Sequence, residues 1–145
     1  MTLVNANLIA EQRGLRISEV RAPYDGIYKD LIRINLSTRG GKTRVSATEA
    51  PDGTHIVEIN DFSVDIPAAE GYVLLCENVD KPGMIGAIGT FLGWRNLNNS
   101  FMRVARETIH GRALMVLGLD GALDAATLDE IARIPDIFSA RVARI

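Results

Sequence analysis

The order of hydrophobic periods after residue 71 constrains this chain more than any other feature. Residues 72–77 (YVLLCE) are a short apolar run of strand length. Residues 82–95 carry Ile85, Ile88, Phe91 and Leu92 at helical spacing, with Pro82 in the first turn, where its missing N–H is no loss. Residues 97–106 alternate, with Ser100, Met102 and Val104 against Phe101, Arg103 and Ala105. His110-Gly111 reads as a turn and residues 112–119 (RALMVLGL) as a buried strand. Residues 124–134 place Leu128, Ile131 and Ala132 on one helix face, with Asp124 available as a cap and Pro135 as a stop. Residues 137–145 form a last strand. Strand, helix, strand, strand, helix, strand is the split βαβ order of ferredoxin-like domains, with both helices expected on one face of an antiparallel sheet.

Residues 67–71 (PAAEG) are a breaker stretch and the best domain boundary. Before it the punctuation is different. Residues 5–13 read as a short helix that Gly14 stops. Residues 15–22 (LRISEVRA) alternate Leu15 and Ile17 against Arg16 and Ser18, a strand pattern. Residues 23–26 are a turn cluster, and residues 28–38 alternate again. Arg39-Gly40-Gly41-Lys42 is a hairpin turn, returned by residues 43–48. Pro51-Asp52-Gly53 is another turn, and residues 55–60 and 62–66 make a hairpin around Asn60-Asp61. The expected fold is α+β: a small β-rich partial domain over residues 1–67, then a ferredoxin-like βαββαβ domain over residues 71–145.

Composition narrows the function. The chain has 145 residues, 47% apolar and 23% charged, which is too apolar for a disordered segment. Its net charge is −2, so no basic field favours nucleic acid or anionic lipid. No apolar run approaches the ~18 residues of a membrane span, and the first residues lack the pattern of a secretory signal. Cys76 is the only cysteine, which fits a reducing compartment, so a cytoplasmic location is expected.

Catalytic chemistry is sparse. Cys76, His55 and His110 are the only soft or imidazole ligands, and no CxxC, HxxxH or HExxH spacing occurs, so neither a catalytic set nor a metal site is expected. Cys76 reads as a buried thiol and His110 as a solvated turn residue. His55 reads as a surface residue, with an anion contact as the sharper alternative. Trp94 reads as half-buried. Gly83, Gly86 and Gly89 form GxxGxxG, which is neither the dinucleotide GxGxxG nor a P-loop. Glycines at that spacing usually let a helix lie close to a neighbour. Gly83, however, falls at a helix start, where free N–H groups favour a carboxylate. The loop 77–83 adds Asp80, an acceptor for an ammonium group, and Asn78, an amide that donates and accepts; Asn98 adds a second amide. Both loops are expected at the same end of the sheet. Together they fit a free α-amino acid. Equally open is the reading in which Asp80 only caps the helix. Asn96 is expected merely to supply the left-handed residue that ends it.

Residues 78–106, NVDKPGMIGAIGTFLGWRNLNNSFMRVAR, resemble the ACT domain at the C-terminus of D-3-phosphoglycerate dehydrogenase. Residues 113–117 (ALMVL) and 131–135 (IARIP) continue the likeness. LVNANLIAEQRGLRISEV and THIVEINDFSVDI are similar to the later half of that enzyme's intervening domain. The resemblance implies a regulatory module that binds L-serine, or another small amino acid, between two ACT domains, at positions matching Asn78, Asp80 and Asn98. It implies a homo-oligomer formed through the ACT half. It also implies catalytic domains upstream, where the parent enzyme would use NAD; no cofactor is expected in these residues. Three positions depart from the family pattern: Asn96 stands for Gly, Asn99 for an apolar residue, and Phe101 for a small one. Ser63 and Pro67 stand where some members carry basic residues for an anion, leaving His55 as the remaining candidate. A related regulatory portion of an L-serine dehydratase, or a dimerisation module without a ligand, are the competing readings.

Overall fold

The computed structural model describes residues 6–23, 26–68 and 71–145. Tyr24 and Asp25 of the expected turn cluster, and Ala69 and Glu70 of the boundary, lie outside the described residues. Helix α1 (Ala6–Gln12) opens the chain and Gly14, at φ 70, follows it. Strands β1 (Leu31–Thr38), β2 (Gly41–Ala50), β3 (Gly53–Ile59) and β4 (Phe62–Pro67) form one antiparallel sheet in sequence order. Its tight connections are those the turn residues demand. Thr38 pairs with Gly41 across Arg39-Gly40, and Ile59 pairs with Phe62 across Asn60-Asp61, where Asn60 takes φ 53.

One expected strand is missing. Residues 15–22 are irregular and exposed, with Leu15, Ile17 and Val20 at 50%, 67% and 84% of full exposure. Alternation gives a strand only where a neighbour offers a ladder, and β1 pairs with β2 alone. Among the described residues the first half therefore has four strands rather than about five.

The second half matches its pattern: β5 (Tyr72–Val79), α2 (Met84–Trp94), β6 (Asn99–Arg106), β7 (Arg112–Leu119), α3 (Ala125–Ala132) and β8 (Ile137–Arg144). The sheet order is β6-β7-β5-β8 with antiparallel neighbours, the ferredoxin-like topology. Asp124 caps α3 by accepting the Thr127 N–H at 2.7 Å, and the Thr127 hydroxyl first, then this N–H, lowers the pKa of its carboxyl. Asn96, at φ 54, ends α2, and the Leu97 N–H returns to the Leu92 carbonyl. Met84, Ile88 and Leu92 of α2 and Ile131 of α3 pack with Leu74, Cys76, Met115 and Leu117 in one core. Both helices thus cover the same face. Burial pushes the Cys76 thiol up to about 12, so it is an inert core group.

The opposite face of this sheet is also covered. Phe62, Val64 and Ile66 of β4 pack on Val73, Leu114 and Val116. The Arg103 Nε–H donates to the Asp65 carbonyl at 3.2 Å across the joint. The two halves therefore share a sheet-on-sheet core, which the sequence patterns of the separate halves do not display. Phe101, bulky where a small residue was expected, also joins this core. Its ring lies over Gly118, where an added Cβ would stand only 2.4 Å from it.

Candidate functional site

The ends of the second sheet decide which candidate residues can meet. Strand β5 leads through α2 into β6, and both strands pair antiparallel with β7, so β5 and β6 run parallel. A helical crossover returns the chain to the end where it began. The start of β6 therefore lies beside the start of β5, since Asn99 and Tyr72 both oppose Leu119. Asn98 accordingly donates to Asp120 Oδ2 at 2.7 Å, at the opposite end of the sheet from Asp80. The expectation that the two loops share one end is corrected: within one chain they stand about 25 Å apart along the sheet, the length of the eight-residue strand β5.

Asn78, Asp80 and Gly83 all fall at the end of β5 that leads into α2. Asn78 opposes Ala113 of β7 on the helix-covered face and is 2% exposed. Its Nδ2–H donates to the Val79 carbonyl at 2.7 Å, and its buried Oδ1 has no partner among the described residues. Such an acceptor costs about 1–3 kcal/mol in desolvation. Gly83, at φ 94, is the N-cap of α2 and no side chain caps that helix. Asp80 is not the cap either. Its Oδ2 accepts the His110 backbone N–H at 3.1 Å and approaches Arg106 Nη1 at 3.4 Å. Its side chain is 22% exposed. Lys81 pairs with Asp136 beside it. Arg106, which the sequence did not single out, and His110, which it gave only as a solvated turn residue, are neighbours of Asp80 because the β6–β7 hairpin brings them to the end of β5.

Gly86, Gly89 and Gly93 of α2 are exposed, and an added Cβ at each would meet nothing within 4 Å. No close approach inside this chain needs them. Trp94, expected half-buried, is 83% exposed because it ends the helix on the solvent side.

His55 does not offer an anion contact. Its Nδ1 lies 2.6 Å from Asp65 Oδ1 and its Nε2 3.2 Å from Asp52 Oδ1, so both ring nitrogens face carboxylates. The hydrogen bond to Asp65 raises its pKa above the ordinary 6.5, with Asp52 assisting. A raised folded value contributes stability fully below the unfolded pKa and loses it as pH rises through the folded value. Wild type should therefore exceed His55→Asn in Tm most below pH about 6.5, and the difference should shrink as the pH rises above it. Thermal melts across that range check this; a constant difference would exclude the ion clamp. Elsewhere, a cleft of about 310 Å³ includes Lys42, Arg44, Asp61 and Arg112 in its lining. Arg112 pairs with Glu77 and Arg44 lies 3.6 Å from Glu58, so most of its positive charge is already met. Among the described residues no group of acids, histidines or cysteines is placed to hold a metal ion, and no helix is long and apolar enough to cross a membrane.

Residues 1–60 match the D-3-phosphoglycerate dehydrogenase intervening domain family. D-3-phosphoglycerate dehydrogenase 2, chloroplastic, of Arabidopsis thaliana is 35% identical over 150 residues, covering 94% of this chain. The chain is similar to D-3-phosphoglycerate dehydrogenase over nearly its whole length. The Bacillus subtilis D-3-phosphoglycerate dehydrogenase is 32% identical over 140 residues and covers 96%. The chain spans about a quarter of these relatives, 24% and 26% of their lengths. A probable L-serine dehydratase, beta chain, of Bacillus subtilis is 28% identical over 131 residues, and the match spans 59% of that protein.

Proposed function

We propose that residues 71–145 are an ACT-type module that binds L-serine, or another small amino acid, and dimerises, thereby regulating a D-3-phosphoglycerate dehydrogenase of serine biosynthesis in the cytoplasm. The observation that carries this reading is the buried, unpartnered Asn78 Oδ1 beside Asp80 and the uncapped start of α2. Two acceptors suit an ammonium group, and free helix N–H groups suit a carboxylate. Asn98 joins the site from a second copy. β6 is a sheet edge. Antiparallel pairing of two β6 strands about a two-fold axis reverses their direction and brings the partner's Asn98 to the end of this sheet that carries Arg106 and Asp80. The exposed glycines of α2 permit close approach of two such helices on the same side. In such an enzyme catalysis and NAD binding would fall to other domains than this module.

The dehydratase relative supports a second reading, since this chain spans the greater part of that beta chain. The same module would then regulate serine breakdown, and the sequence encoded upstream in the native gene separates the two. The direct test is calorimetric titration of the chain with L-serine, with sedimentation at micromolar concentration. The expected result is saturable heat from a dimer. A dimer without heat or thermal shift at millimolar serine leaves only a structural dimerisation module, and a monomer removes the two-fold site.

A further inference from the structure

We propose that Arg106 is a carboxylate receptor that makes this site selective for zwitterions, a step that rests on the amino-acid reading above. Arg106 of β6 and Asn78 of β5 both oppose Ala113, one from each side of β7. The three residues form a row on the helix-covered face, and the small Ala113 separates the two polar side chains by two strand spacings, about 10 Å. Asp80 and the uncapped start of α2 stand at the same end. Both contacts to Asp80 fall on Oδ2, so its Oδ1 has no partner among the described residues. The acceptors left without a partner among the described residues are thus Asn78 Oδ1 and Asp80 Oδ1, two residues apart at the end of β5. Donors cluster at the helix start and at Arg106, of which one N–H is engaged, at a long 3.4 Å. The charges of Asp80 and Arg106 cancel, so the site matches a ligand that carries one charge of each sign and no net charge. A guanidinium takes both oxygens of a carboxylate, which a helix end does less completely. An amine without a carboxylate leaves Arg106 with only its long contact to Asp80, and an acid without an ammonium leaves Asp80 Oδ1 without a partner.

The test compares L-serine with ethanolamine, which is serine without its carboxylate, on the wild-type chain, Arg106→Gln and Arg106→Lys. Arg106 is exposed on an edge strand, so all three should fold alike by circular dichroism. Wild type should prefer serine strongly. Arg106→Gln should lose roughly 10- to 100-fold in serine affinity with ethanolamine unchanged, since one charge-assisted contact has gone. Arg106→Lys should restore part of the preference. A serine-to-ethanolamine ratio unchanged in Arg106→Gln overturns the role of Arg106 while leaving the amino-acid site standing. A wild-type chain that binds neither compound overturns both.

Discussion

Phe62→Ala should destabilise the chain by about 3–5 kcal/mol, a large share of the ~5–15 kcal/mol by which a domain is stable. Phe62 is 4% exposed and belongs, with Val64, Ile66, Leu114 and Val116, to the joint between the sheets, and the Arg112 guanidinium lies 5.8 Å from its ring centre. Truncation leaves a cavity that two sheets cannot both collapse onto. The loss should be uneven. The ferredoxin-like sheet keeps a second core with α2 and α3, whereas the β1–β4 sheet has its closest-packed apolar row on this joint. Urea midpoints should fall accordingly, and hydrogen exchange should speed up in β3 and β4 before β5 and β7. Ile32→Ala, at a position 71% exposed, should change stability by less than about 0.5 kcal/mol. Equal small effects from both substitutions would mean that the two halves are independent and that the joint contributes nothing.

The unevenness has a counterpart in what the sequence discloses. Hairpin turns, helix caps and periods are local, so Asn60, Asn96 and Asp124 take the roles their residue types imply. The β5-to-β8 order is also legible, because two helical periods at fixed places among strands leave few topologies. Contacts between elements are not local. The alternation of β7 shows two apolar faces but not that β4 covers one of them. The alternation over residues 15–22 is a strand pattern without a partner. The site divides in the same way. Asn78, Asp80 and Gly83 lie within six residues, and the sequence brings them together. Asn98 is placed by the crossover rule, which sends it to the far end of its own sheet. Arg106 and His110 reach Asp80 only through the pairing of β6 with β7. His55 reads as a lone imidazole until the hairpin sets Asp65 against it.

Asp80→Ala should weaken L-serine binding about ten- to a hundredfold. An ammonium group deprived of a carboxylate acceptor loses a charge-assisted hydrogen bond worth roughly 1.5–3 kcal/mol, and ~1.4 kcal/mol is tenfold. Asp80 also holds the His110 N–H, so alanine frees the β6–β7 turn as well. Asp80→Asn separates the two effects. Its amide oxygen still accepts from His110, so Tm should hold near wild type, while the missing charge should still reduce serine affinity. Asn98→Ala should cost less, about 1 kcal/mol, because a neutral amide contact is lost. Its partner Asp120 is exposed and regains water. Dimerisation should survive all three changes, since none removes appreciable apolar area. Calorimetry with L-serine, thermal melts and sedimentation on the four chains read these outcomes together. If wild type binds serine and Asp80→Ala binds it equally well, the ammonium lies elsewhere. The buried Asn78 oxygen is then an unpaired group of the fold rather than half of a receptor.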